Sequence, residues 1–258
     1  MGETKPESHD LTTLNRDTLA SQLAEKLTQR ILQGQHPPGS LLPSEKAVSE
    51  EFRVSRPVVR EAIRELSGRG FVRVINSVGA EVQPINTQVL QAFFERALHF
   101  DPNSWKEIMD VRRVLEARSV ALAVRNRTDN DVELLHSLVD GMRRSVHSAA
   151  DYSSLDLKFH LEIGRISGNS FILYLISSIQ DALVLIISSL HTELLEESLP
   201  LMCELHEAIL SAIEVADEDR AVLAMNLHFE NTLSRLETYL AKSVPQRLDA
   251  SDALLIQR

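Results

Sequence analysis

Two groups of side chains in this 258-residue chain have the types and spacing to do chemistry. In the second half, Asp156 and His160 stand four apart, one above the other on one side of a helix. His206 and His228 fall on two later helical segments. Three imidazoles and a carboxylate borne on three helices can converge in a bundle core, and neutral imidazole nitrogens with a carboxylate suit Zn²⁺, Ni²⁺, Mn²⁺ or Fe²⁺. Each of these residues taken alone also fits a structural or surface role, and spacing by itself does not make the three helices meet. In the first third, seven lysines and arginines lie between Ser44 and Arg73. Arg56 and Arg60 are four apart on one helical face, and Arg64 continues the row. A guanidinium can fork onto O6 and N7 of guanine or lie along a phosphate. Lys46 at a helix start and Ser55 at a cap are suited to phosphate. The competing reading pairs Arg60 and Arg64 with Glu61 or Glu65 on a solvated helix.

The elements around the arginines decide between those readings. Leu19, Leu23, Leu27 and Ile31, four apart, predict a helix over 19–32 that Gly34 and the turn His36-Pro37-Pro38-Gly39 end. Ser44 caps a short helix to Phe52, and Ser55 caps another with Pro57 in its first turn, joined by Arg53-Val54-Ser55. Gly68 and Gly70 stop that helix. Phe71 to Ile75 and Ala80 to Val82 read as two short strands around Asn76 to Gly79, a hairpin of the kind that forms a wing. A turn, two capped helices and a hairpin in sequence favour a winged helix-turn-helix that touches DNA.

Beyond Pro84 the period is 3.6 almost throughout, with helices expected near 88–98, 104–125, 129–147, 151–167, 170–191, 200–215 and 218–242. The expected fold is mainly α: a flexible segment 1–18, a winged helix-turn-helix over 19–84, an all-helical bundle for dimerisation and effector binding over 85–242, and a tail over 243–258. Trp105 and the Phe93-Phe94 pair read as packing residues, and Cys203 as a structural thiol.

Charge separates the two parts. The chain carries a formal net charge of −10, yet 19–85 holds nine Lys/Arg against seven Glu, while 86–258 holds sixteen against twenty-six acids. Phosphates would repel the second part, so a nucleic-acid surface belongs to the first. One cysteine fits a reducing compartment, the N-terminus lacks the layout of a signal peptide, and the apolar stretch 171–190 is broken by polar residues. A cytoplasmic protein with no membrane span is expected.

The segments Pro38-Gly39-Ser40-Leu41-Leu42-Pro43-Ser44-Glu45-Lys46 and Val54-Ser55-Arg56-Pro57-Val58-Val59-Arg60-Glu61-Ala62-Ile63-Arg64-Glu65-Leu66 resemble the N-terminal winged helix of the GntR family of bacterial transcription regulators. The resemblance implies base or phosphate contacts by Lys46, Arg56 and Arg60, and a minor-groove contact near Gly79. Lys46 stands where the family has arginine, and Ser77-Val78-Gly79 lacks the first of two common wing glycines. Asp110-Val111-Arg112 with Leu115-Glu116, Asp156-x3-His160 followed by Ser167-Gly168-Asn169, Leu205-His206, and His228 resemble the FadR-type branch with its all-helical ligand-binding (FCD) domain. In metal-containing members the residues matching Asp156, His160, His206 and His228 hold a divalent cation, zinc being the first choice here. The acyl-CoA-binding member lacks that set, so a fatty acyl-CoA effector is not expected.

Arg112 is then the candidate clamp for an effector carboxylate, against a salt bridge to Glu116; Asn169 either orients the effector or caps the next helix. The expected protein is no enzyme but a homodimeric repressor on a palindromic operator, released by a small organic or sugar acid. A purely structural metal or a domain that only dimerises is one alternative. A metal-dependent hydrolase is another, opposed by the lack of a placed general base.

Overall fold

The computed structural model describes residues 18–101, 104–187 and 198–243. Residues 1–17 and 244–258, assigned above to the flexible segment and tail, and the expected helical residues 188–191, lie outside them. The chain divides into two compact units, Met1–Val89 and Leu90–Arg258, five residues later than the boundary expected from Pro84.

The first unit holds α1 (Leu19–Leu32), α2 (Glu45–Phe52), α3 (Arg56–Gly68), β1 (Val72–Ile75) and β2 (Gly79–Val82). The Ser44 hydroxyl accepts the Ala47 amide at 3.3 Å and starts α2 as its spacing predicts. Ser55 takes the cap position of α3, but its hydroxyl makes no cap bond. The strands pair antiparallel, with Val72 opposite Val82 and Ile75 opposite Gly79. Gly39, at φ +84, turns the chain so that Ser40 and Leu42 hydrogen-bond along the free edge of β2. The wing is thereby tied to the Pro-Gly segment. Leu23, Leu27, Val48, Val59, Leu66 and Val82 form the core of this unit. Leu19, expected on the apolar face of α1, is instead 60% exposed; Ala20 and Ala24 complete that face.

The second unit is all-helical among the described residues: α4 (Gln88–Phe100, entering from the first unit), α5 (Trp105–Asn126), α6 (Asp129–Arg144), α7 (Ala149–Ile166), α8 (Ser170–Ile187), α9 (Leu199–Glu214) and α10 (Glu218–Ser243). Thr128 and Asp131 cap α6 reciprocally, and Ser148 caps α7. α5 and α10 run antiparallel, pinned by Arg125 to Glu218 at 2.6 Å and Lys106 to Glu237 at 2.7 Å. Trp105 is buried in the common core, whereas Phe93 is 64% exposed and only Phe94 of that pair packs inward. Among the described residues no helix is long and apolar enough to cross a membrane.

Candidate metal centre and DNA-reading face

α7 carries Asp156 and His160 on one side, as their spacing of four requires, α9 carries His206, and α10 carries His228. The three helices bring one ligand atom from each residue to within 4.8 Å of the others. His206 Nε2 lies 2.9 Å from Asp156 Oδ1, and His160 Nε2 lies 3.7 Å from it. All three rings are buried, while the Asp156 carboxylate keeps partial exposure. Phe159 and Phe229 wall the group, packing edge-on against His206 and His160.

Hydrogen bonds on the far side fix which nitrogens face inward. His206 Nδ1 lies 2.7 Å from the Met202 carbonyl, an acceptor only, so Nδ1 carries the proton. The Tyr152 hydroxyl is 3.2 Å from the same nitrogen. His160 Nδ1 bonds to the buried Glu116 carboxylate. The inward Nε2 atoms of His160 and His206, and Nδ1 of His228, are buried without a hydrogen-bond partner. Leaving such a group unpaired costs about 1–3 kcal/mol, so three in one place suit a shared partner. A divalent cation fits this donor set. Burial, then the neighbouring rings of His206 and His160, hold His228 well below the usual imidazole range, in the neutral form that ligates. Burial alone would raise the Asp156 carboxyl; the close approach of His206, then the other two imidazoles, outweighs it and holds the group well below the carboxylate range.

Glu116 is the residue that spacing did not reveal as part of this site. On α5, it receives Arg112 Nε at 2.6 Å through Oε1 and His160 through Oε2. Burial pushes its carboxyl up, but the Arg112 guanidinium, then the hydrogen-bonded His160, outweighs it and holds the carboxyl below its usual range. Its sequence signals were its place four residues after Arg112 and in the Leu115-Glu116 part of the FadR-type motif, neither of which points to His160. Arg112 therefore makes the salt bridge weighed against its clamp role, while its terminal nitrogens form no hydrogen bond among the described residues. Its guanidinium also lies 5.3 Å from the Phe229 ring centre. Asn169 takes the capping role of its two: it is exposed, and its side-chain oxygen accepts the Phe171 and Ile172 amides at 3.1 and 3.2 Å. Cys203 is a buried thiol pushed up to about 11 by burial and then by Glu207, an unreactive state.

In the first unit, Arg56, Arg60 and Arg64 are all exposed on α3, after the exposed Ser55. Arg64 pairs with Glu61 at 3.0 Å, as the competing reading has it, but Arg60 reaches Glu45 of α2 at 3.4 Å rather than its own helix. Lys46 lies 3.8 Å from Glu50. Exposed pairs of this kind are worth about 0–1 kcal/mol and exchange readily for phosphate. In the wing, Ser77 adopts φ +64, the conformation that explains a glycine preference there, and Gly79 follows at φ +140 with no atom within 4 Å of where a Cβ would stand.

Comparison with known proteins agrees with this layout. Residues 19–82 match the family described as bacterial regulatory proteins, gntR family, and residues 107–231 match the FCD domain. The chain is 31% identical over 219 residues to the Exu regulon transcriptional regulator of Escherichia coli, covering 83% of each. It is 28% identical over 224 residues to the HTH-type transcriptional repressor NanR of Cronobacter sakazakii, covering 86% of each. It is 26% identical over 217 residues to the HTH-type transcriptional regulator LutR of Bacillus subtilis, covering 83% of this chain and 99% of that one. Among solved structures, Streptococcus agalactiae GntR superposes with a TM-score of 0.59 at 25% identity, covering 83% of this chain and 98% of that one.

Proposed function

The chain belongs to the GntR family of bacterial regulatory proteins, as a FadR-type transcription regulator with an FCD domain, and from that premise we propose a cytoplasmic homodimeric repressor whose operator binding is released by a small carboxylic or sugar acid held beside a divalent metal. The observation that carries the sensor half is the set of three buried, unpartnered imidazole nitrogens gathered round Asp156. Zinc suits these ligands best, with nickel, manganese or iron as substitutes. Bound there, the cation supplies a Lewis-acidic centre for an effector oxygen. Asp156, His160, His206 and His228 hold it; Glu116 and the Met202 carbonyl orient two of the rings. Arg112, anchored through Nε, offers its terminal nitrogens to the effector carboxylate.

Lys46, Ser55, Arg56, Arg60 and Arg64, with the wing at Gly79, form the DNA-reading set. Two such domains would read the half-sites of a palindrome, as paired helix-turn-helix proteins do. Exposed Val111 and Val114 on α5 and Leu223 and Leu227 on the neighbouring α10 support an apolar contact with a second copy. The effector can release DNA only by binding the non-operator geometry more tightly than the operator-bound one. The names of the NanR and Exu relatives, a repressor and a regulon regulator, support the repressor reading over an enzyme.

Thermal-shift screening with lactate, sugar acids, dicarboxylates and aromatic acids, on zinc-loaded and chelated protein, tests this reading. An effector at a hundredfold excess over its Kd should stabilise the loaded protein by about 2.7 kcal/mol. A hit of equal size after metal removal would contradict the bridge. Glu116→Gln is expected to weaken zinc binding about 10- to 100-fold by loosening His160. Chelator competition measures this, with circular dichroism confirming the fold, and wild-type affinity would remove Glu116 from the site.

A further inference from the structure

Arg53 closes α2 in the left-handed conformation, φ 53 and ψ 44, where glycine is the usual residue. Its amide donates to the Ser49 carbonyl, so the backbone there performs an ordinary helix ending that needs no arginine. The side chain is exposed. Every other cation of α2 and α3 except Arg56 faces a carboxylate: Lys46 with Glu50, Arg60 with Glu45, and Arg64 with Glu61. Among the described residues Arg53 and Arg56 have no such partner. Two unneutralised guanidiniums three residues apart, on either side of the turn into α3, make this corner the one place in α2 and α3 where positive charge is not offset.

We propose that Arg53 is a phosphate-contacting residue that adds sequence-independent affinity to the DNA-reading face. It precedes the cap of α3 and so stands outside the row of Arg56, Arg60 and Arg64. In a helix-turn-helix the first helix crosses the sugar-phosphate backbone while the second enters the groove. A long cation where the two join therefore meets backbone rather than base edges. Its competing role is to complement the C-terminal end of the α2 dipole, which predicts a loss of stability when it is removed. The proposal rests on α3 being the DNA-reading helix, and Arg56→Ala serves as the control for that premise.

The test uses the full-length protein, a duplex selected from a random library with the purified wild type, and an unselected duplex of equal length. Arg53→Gly fits the left-handed backbone, so its melting temperature is expected to hold or rise. At 0.15 M salt it should weaken both duplexes by the same factor, about fivefold per phosphate contact, from a slope of about −0.9 per contact in log K against log salt. That slope should fall by about one per engaged domain, and Arg53→Lys should retain it. Wild-type affinity and slope for Arg53→Gly would overturn the proposal, as would a loss confined to the selected duplex or a lower melting temperature with unchanged DNA binding. If Arg56→Ala also binds like the wild type, the reading of α3 fails with it; if only Arg53→Gly does, the phosphate contact alone fails.

Discussion

Replacing His206 by alanine is expected to abolish stoichiometric metal, lowering affinity by more than the roughly 100-fold that bounds the loss of an outer-sphere partner. His206 is the sole ligand that α9 contributes, and its Nε2 is the nitrogen nearest Asp156, at 2.9 Å. With Nδ1 committed to Met202, the inward nitrogen and the carboxylate present lone pairs to each other. A metal cation resolves that repulsion, and His228 is in the neutral form that ligates. Metal analysis after gel filtration, beside melting curves with and without chelator, checks the result. The chelator should lower the melting temperature of the wild type and leave His206→Ala unmoved. Wild-type metal content in the variant would show that the four residues do not act as a ligand set.

The second large effect is expected on the other unit. Arg56→Ala and Arg60→Ala should each cost about 1–3 kcal/mol of discrimination per half-site if their guanidiniums read bases. Both arginines are exposed, and the 3.4 Å pair between Arg60 and Glu45 is too weak to hold the side chain away from DNA. Metal content should stay at the wild-type level in both variants. Arg64→Ala should weaken selected and unselected duplexes alike if it contacts phosphate, or lose preference at a single base pair if it reads one. Gel-shift titrations over a salt series distinguish the outcomes. Undiminished operator binding by Arg56→Ala would remove α3 from the interface.

Local chemistry makes much of this legible in the sequence. Ser44 caps α2, the arginine row lies on one helix, and the hairpin closes beside Gly79, each because the signal and the structure sit within a few residues. Asp156 and His160 were legible as a pair for the same reason. Their meeting with His206 and His228 was not, since periodicity orients a helix face but does not choose its partner. Glu116 was hidden because its second partner, His160, comes from another helix forty-four residues away. Ser55 and Asn169 show the limit within local signals. Ser55 sits at the cap of α3 without a cap bond, and Asn169 spends its oxygen on α8. Leu19 and Phe93 were misplaced because apolar type alone does not specify depth.

The proposed regulation depends on one linkage: an acid bound at the metal centre governs whether the arginines hold DNA. Operator affinity should therefore be measured with and without the acid that stabilises the zinc-loaded protein, in the wild type and in His206→Ala. The account predicts that the acid weakens operator binding by the zinc-loaded wild type, at least about 5- to 150-fold for a coupling of 1–3 kcal/mol, and does nothing to His206→Ala. Release of equal size in both proteins would contradict it.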